Sequence, residues 1–134
     1  MKKIALFIAL FSVLAPTAFA NQEKSVDCSS PTQLAGASAK VKGALKLTAL
    51  PNGQMAASGN LNIRLSEGRQ IVVQQNLVKV KGVYDNIDNT EYAVLGATNN
   101  KKIDTIYLNF SAHDSSYIEL ANGKKFLLNC TANN

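Results

Sequence analysis

Residues 39–73, AKVKGALKLTALPNGQMAASGNLNIRLSEGRQIVV, decide the fold. Three runs of period two are joined there by two short turns. Across residues 40–50, Val41, Leu45, Leu47 and Ala49 fall on one face, and Lys40, Lys42, Lys46 and Thr48 on the other. Across residues 54–65, Ala57, Leu61, Ile63 and Leu65 alternate with Ser58, Asn60, Asn62 and Arg64. An apolar side chain at every second position is the pattern of a half-buried antiparallel strand.

The turn between the first two runs fixes their register. A two-residue Asn52-Gly53 loop would set Leu47 against Ser58 and put the apolar faces on opposite sides. A three-residue loop, Pro51-Asn52-Gly53, sets Leu47 against Ala57 and Val41 against Ile63. A slip of one residue turns a whole strand inside out, so the three-residue loop is expected. Its residues suit a type I turn with a bulge: Pro at the first turn position, Gly at the left-handed one.

The same rule applied outward predicts two further hairpins. Ser66-Glu67-Gly68 as a loop would place Ile63 opposite Ile71 and Leu61 opposite Val73. Ala121-Asn122-Gly123 would place Ile118 opposite Phe126 and Glu119 opposite Lys125. Between these hairpins Val78, Val80 and Tyr84 take the opposite phase to Ile71 and Val73, which calls for a bulge near Gln74-Gln75-Asn76. Residues 85–91 read as a polar loop, 92–98 as a strand, 99–102 as a turn, and 104–110 as a strand with Ile106, Leu108 and Phe110 inward. Residues 111–116 form a loop, and Phe126, Leu128 and Cys130 then share one phase. About eight strands in simple succession make an all-β antiparallel meander. An up-and-down barrel is the first expectation, because an even number of strands lets first and last pair without leaving edges; a two-sheet sandwich is the alternative.

Before the meander, residues 1–20 have the three parts of a secretory signal peptide: Lys2 and Lys3, an apolar run, and Ala18-Phe19-Ala20 as the cleavage site. The remaining residues 21–134 make a single β-domain. Loss of Lys2 and Lys3 leaves 12 of the 14 basic side chains against 9 acids, a net charge of +3. The signal is of bacterial type and implies a periplasmic or extracellular protein with no transmembrane segment after cleavage. Residues 21–38 are small and polar, and Ser30-Pro31-Thr32-Gln33 has the form of a capping box opening one or two helical turns.

Two cysteines, Cys28 and Cys130, are expected to pair in an oxidising compartment. Closing a loop of about 100 residues constrains the unfolded chain by roughly 4–5 kcal/mol in the chain-entropy model. They lack the C-x-x-C spacing of a redox site and the histidines of a zinc site.

The outward face of the opening stretch is where binding is expected. Lys40, Lys42, Lys46 and Arg64 lie on it with Asn60, Asn62 and Gln70 between, and Lys79 and Lys81 extend it. Lys40 falls opposite Arg64. Like charges across a ladder cost stability, so such a face suits an anionic partner, an envelope polymer or a protein; its plainer reading is a solvated sheet surface. Aromatic residues do not interleave with the basic ones, so no nucleic-acid partner is expected. His113, Asp114, Ser115 and Ser116 contain the residue types of a catalytic triad, but neighbouring loop residues rarely meet in that geometry, and no G-x-S-x-G elbow accompanies them. Asp85, Asp88 and Glu91 offer oxygen ligands for calcium without EF-hand spacing. The acceptor-type triplets at 109–111 and 129–131 are incidental in an Asn-rich chain. No cofactor is implied. The chain thus reads as a non-catalytic binding module for an envelope polymer, a protein or a small ligand within the barrel. A structural component of the envelope is the alternative, and a small hydrolase a weaker one.

Overall fold

Alternation makes strands, and here the strands close on themselves. The computed structural model describes residues 22–31, 36–112 and 115–130. Eight strands follow in order: β1 (Gln22–Ser29), β2 (Ala37–Ala49), β3 (Met55–Glu67), β4 (Gln70–Ile87), β5 (Thr90–Ala97), β6 (Ile103–Asn109), β7 (Ser116–Leu120) and β8 (Lys125–Cys130). Each pairs antiparallel with its sequence neighbours, and β1 pairs with β8, which completes a closed up-and-down barrel rather than a sandwich. The described residues include no helix long and apolar enough to cross a membrane. The signal peptide expected at 1–20 lies outside the described residues, as do Thr32 and Gln33 of the capping box and His113 and Asp114.

Inside the barrel is the core. Leu45, Leu61, Ile63, Ile106, Leu108 and Ile118 each have 0 % of their surface exposed, which leaves no water-sized void against them. Each side chain of this kind stabilises the fold by about 1.5–3 kcal/mol on burial. The outer face of β2, β3 and β4 bears exposed lysine, arginine and asparagine. A membrane-spanning barrel has the reverse polarity, an apolar band outside and a polar interior.

Two of the three predicted hairpins have the expected register. Leu47 faces Ala57 and Val41 faces Ile63; Ile118 faces Phe126 and Glu119 faces Lys125. Their loops are built alike. Leu50 N–H donates to Gln54 and Gly53 N–H to Leu50; Leu120 N–H donates to Lys124 and Gly123 N–H to Leu120. The side chains of Asn52 and Asn122 each accept from the main chain two residues on. Both glycines sit at positive φ, where a Cβ is disfavoured.

The third hairpin departs from expectation. Glu67 pairs with Gln70 across a two-residue Gly68-Arg69 turn, Ser66 faces Ile71, and Leu65 faces Val73. An extra residue between Ile71 and Val73 restores the inward phase of Val73, so Ile71 turns outward and Ile63 faces Gln75. A second shift lies where Leu61 faces Val78 and Ile63 faces Gln75, beside the expected bulge. Residues 85–91 are not a polar loop. β4 and β5 run through them to a two-residue turn at Asp88-Asn89, both at positive φ (53° and 64°), the type I′ geometry that matches strand twist.

The leading segment, expected to be small and polar, also departs from that reading. β1 pairs along β2 from Gln22–Leu47 to Ser29–Lys40 and directs Lys24, Val26 and Cys28 inward. Cys28 and Cys130 face each other in the β1–β8 pair and form the expected disulfide, Sγ–Sγ 2.05 Å. The covalent link therefore sits on the seam that closes the barrel. Gly82, opposite Ala57 and Leu95, faces inward where β4 and β5 approach; a Cβ there would run into the Val94 carbonyl oxygen.

Candidate functional site

The cations predicted to form a binding face are brought together on the outside of β2, β3 and β4, and all six are exposed. Register arranges them in rows. Lys46, Ser58 and Lys81 form one row, Ala44, Asn60 and Lys79 the next, and Lys40, Arg64 and Gln74 the lowest. At a strand rise near 3.3 Å per residue, the rows from Ser58 to Arg64 span about 20 Å. A shallow groove of about 410 Å³ lies among Lys46, Ser58, Asn60, Lys79, Lys81 and Thr98, with no carboxylate in its lining.

The face is not uniform. β1 brings Glu23 opposite Lys46 and Asp27 opposite Lys42. Lys79 and Lys81 have Asn60 and Ser58 beside them on β3, and Lys81 has Gly96 on β5. Lys40 has Arg64 on one side and Ser29 on the other. Among the described residues no carboxylate pairs with Lys40, Arg64, Lys79 or Lys81, whereas Lys24 and Lys124 are held by Glu91 and Glu67. The positive stripe therefore runs along β3 and β4, and of the β2 lysines at its margin Lys42 and Lys46 are partly balanced.

A second charged group lies inside the barrel near the end where β1 begins. Lys24 is 5 % exposed, with Nζ 3.0 Å from Glu91 Oε1 and 4.8 Å from the centre of the Phe110 ring. Tyr84 donates its hydroxyl proton to Glu91 Oε2. Burial, then the hydrogen bond to Glu91 and its negative charge, push the Tyr84 hydroxyl well above the ordinary phenol range. Glu91 reaches this place because the type I′ turn sets it in phase with Ala93 and Leu95 on the inner side of β5. A sequence signal existed in β1, since Lys24 shares the phase of Val26 and Cys28, but lysine on an apolar phase reads as an interruption rather than as part of the core.

That arrangement dissolves the calcium group. Glu91 turns inward, Asp85 accepts from the Gln54 side chain, and Asp88 lies at the turn. No group of three or more His, Cys, Asp or Glu residues suited to a metal occurs among the described residues. An aromatic row, also unpredicted, crosses the outside of the barrel on β5 to β8. Val94, Tyr107, Tyr117 and Leu127 lie in one row by register. The Tyr107 and Tyr117 rings are 5.4 Å apart, and Lys125 Nζ sits 4.6 Å from the Tyr117 ring. Cross-strand pairs of this kind each stabilise a sheet by about 0.2–1 kcal/mol.

The fold and its charges define a class: a disulfide-closed, eight-stranded antiparallel barrel with a packed interior and an asymmetric basic exterior. No family model matches the chain, and comparison with curated proteins and with solved structures found no match. Function is therefore argued from the site.

Proposed function

We propose that the protein is an exported, non-catalytic binding module whose basic stripe takes an anionic polymer of the cell envelope. The observation that carries this reading is the groove among Lys46, Lys79 and Lys81, which joins three exposed ammonium groups with Ser58, Asn60 and Thr98 and includes no acid. Ammonium groups on flexible stems suit repeated anionic groups at variable spacing, and neighbouring hydroxyl and amide groups add hydrogen bonds. The packed interior supports an outer surface rather than a ligand held within the barrel. The Lys40–Arg64 pair lowers the stability of the free protein slightly, and an anion laid over it would relieve that repulsion.

The test is retention of the protein on immobilised polyphosphate and on purified anionic wall polymers at low and high salt. The reading predicts retention that weakens steeply with salt, because exposed charges are screened within about 10 Å at 0.1 M. Reversal of Lys46, Arg64, Lys79 and Lys81 to Glu should abolish it. A reversed protein that folds and is retained unchanged would refute the proposal, as would a wild-type protein that passes both matrices at low salt.

A further inference from the structure

β4 is longer than the strand that should cover it. β3 follows it from Gln70, opposite Glu67, to Tyr84, opposite Met55. β5 pairs with it only from Val80 upward. Below Val80, the edge of β4 that faces β5 has no strand beside it among the described residues. Thr98 N–H, just past β5, still donates to the Lys79 carbonyl at 2.8 Å, and beyond it side chains of the β5–β6 turn stand in for a strand. Asn99 accepts from Lys79 N–H at 2.9 Å and donates to the Leu77 carbonyl at 2.9 Å. Asn100 donates to the Gln75 side chain at 2.9 Å, and Lys102 Nζ reaches the Val72 carbonyl at 3.3 Å. Below Lys79, a main-chain edge held by side-chain amides and one long ammonium contact is an edge that another strand can take over.

Three further observations say what kind of strand fits. The two register shifts turn apolar side chains out beside this edge, leaving Ile71 49 % and Leu77 64 % exposed. A slot of about 360 Å³ opens between Val72 and the β5–β6 and β7–β8 turns, lined by Leu120 and Ala121 as well as by Lys101 and Lys102. Its charged lining is cationic only. An edge for main-chain hydrogen bonds, apolar contacts beside it and a pair of lysines at one side together match strand addition by a segment carrying both apolar and acidic residues. A second copy of this chain fits poorly, because the same edge of that copy, residues 70–79, carries Lys79 and no carboxylate to meet Lys101 and Lys102.

We propose that the lower edge of β4, over residues 71–77, binds an extended segment of a partner protein in which apolar and acidic residues alternate. This site adjoins the basic stripe on β4 but uses the strand edge and its apolar side chains rather than the outward cations, and either can fail without the other.

The probe is a capped, fluorescently labelled heptapeptide of alternating valine and glutamate, with a valine–lysine peptide as its charge counterpart. The glutamate peptide should bind saturably and slow hydrogen exchange of amides within residues 71–79 of the unmodified protein. The lysine peptide should bind at least about tenfold more weakly. The double variant K101E/K102E, altered only at exposed turn positions, should exchange this order and prefer the lysine peptide, which also demonstrates that it is folded. N-methylation of alternate peptide amides should remove binding. The proposal is overturned by absence of saturable binding, by equal binding of the N-methylated peptide, or by protection that falls elsewhere. It is equally overturned by a preference that K101E/K102E leaves unchanged, or by sedimentation showing self-associated protein that the peptide does not dissociate.

Discussion

Lys24 and Lys79 are the same residue type on strands of the same barrel, yet their surroundings give them opposite roles. Lys24 points inward, with its ammonium against Glu91 and the face of Phe110. Lys79 points outward beside Asn60, with no carboxylate paired to it among the described residues. Removing an inward charge from water costs several kcal/mol unless a partner offsets it, so Lys24 depends on Glu91. An exposed lysine keeps its water and contributes little to folding, which leaves it free to act on a partner. The difference predicts where substitutions change stability and where they change binding.

The largest effect belongs to the inner group. Glu91→Ala removes the carboxylate from Lys24 and the acceptor from Tyr84, and should cost about 3 kcal/mol, the lower end for a broken buried pair because Glu91 is partly open to solvent. Urea unfolding followed by tyrosine fluorescence gives the number, since the chain has no tryptophan. Combining it with Lys24→Met should recover a good part of the loss, because no buried ammonium then lacks its carboxylate. A single-variant loss below about 1 kcal/mol would place Lys24 among the surface lysines in energetic terms.

Tyr84→Phe comes next, at about 2 kcal/mol for a hydrogen bond to a charged acceptor. It carries a pH signature. The folded-state pKa of Tyr84 is raised, so the native protein keeps a proton that the unfolded chain gives up near pH 10. The contribution of this hydroxyl is fully present below that pH and is lost as pH rises towards the folded value. The stability gap between wild type and Tyr84→Phe should therefore shrink steadily above about pH 10. A gap that stays constant to the most alkaline pH at which both proteins fold would mean that Tyr84 is not held neutral by its burial and by Glu91.

How legible these two regions were in the sequence follows from the same contrast. The outer cations obey strict alternation within long runs, so the 51–53 turn register alone was enough to set Lys40 against Arg64. Glu91 and Lys24 were hidden for different reasons. Glu91 sits beside a turn whose Asp88 and Asn89 both take positive φ, and without a glycine that tight hairpin resembles a longer polar loop. Lys24 stands in a strand of mostly polar residues, and Glu91, 67 residues away in sequence, and Phe110 meet it only in the folded barrel. Ile71 failed because the Gly68-Arg69 turn and the extra residue after Ile71 compensate each other, and alternation alone cannot separate a shifted turn from a nearby bulge.

The smallest effect on stability should come from the stripe itself. Lys79→Glu and Lys42→Glu make the same change in net charge at exposed strand positions, and each should move stability by no more than about 0.5 kcal/mol. Their neighbours differ. Lys42 lies opposite Asp27 on β1, so its field is already partly cancelled, while Lys79 borders the groove with Lys81 two residues along the same face. If binding follows overall charge, the two variants will lose equal affinity for polyphosphate at matched ionic strength. If it follows the stripe, Lys79→Glu will lose several-fold more than Lys42→Glu, and the gap will narrow as salt screens the groove. Equal losses at low salt would reduce the outer face to a general positive charge; unequal losses would make the side of β3 on which a lysine stands the determinant of what it does.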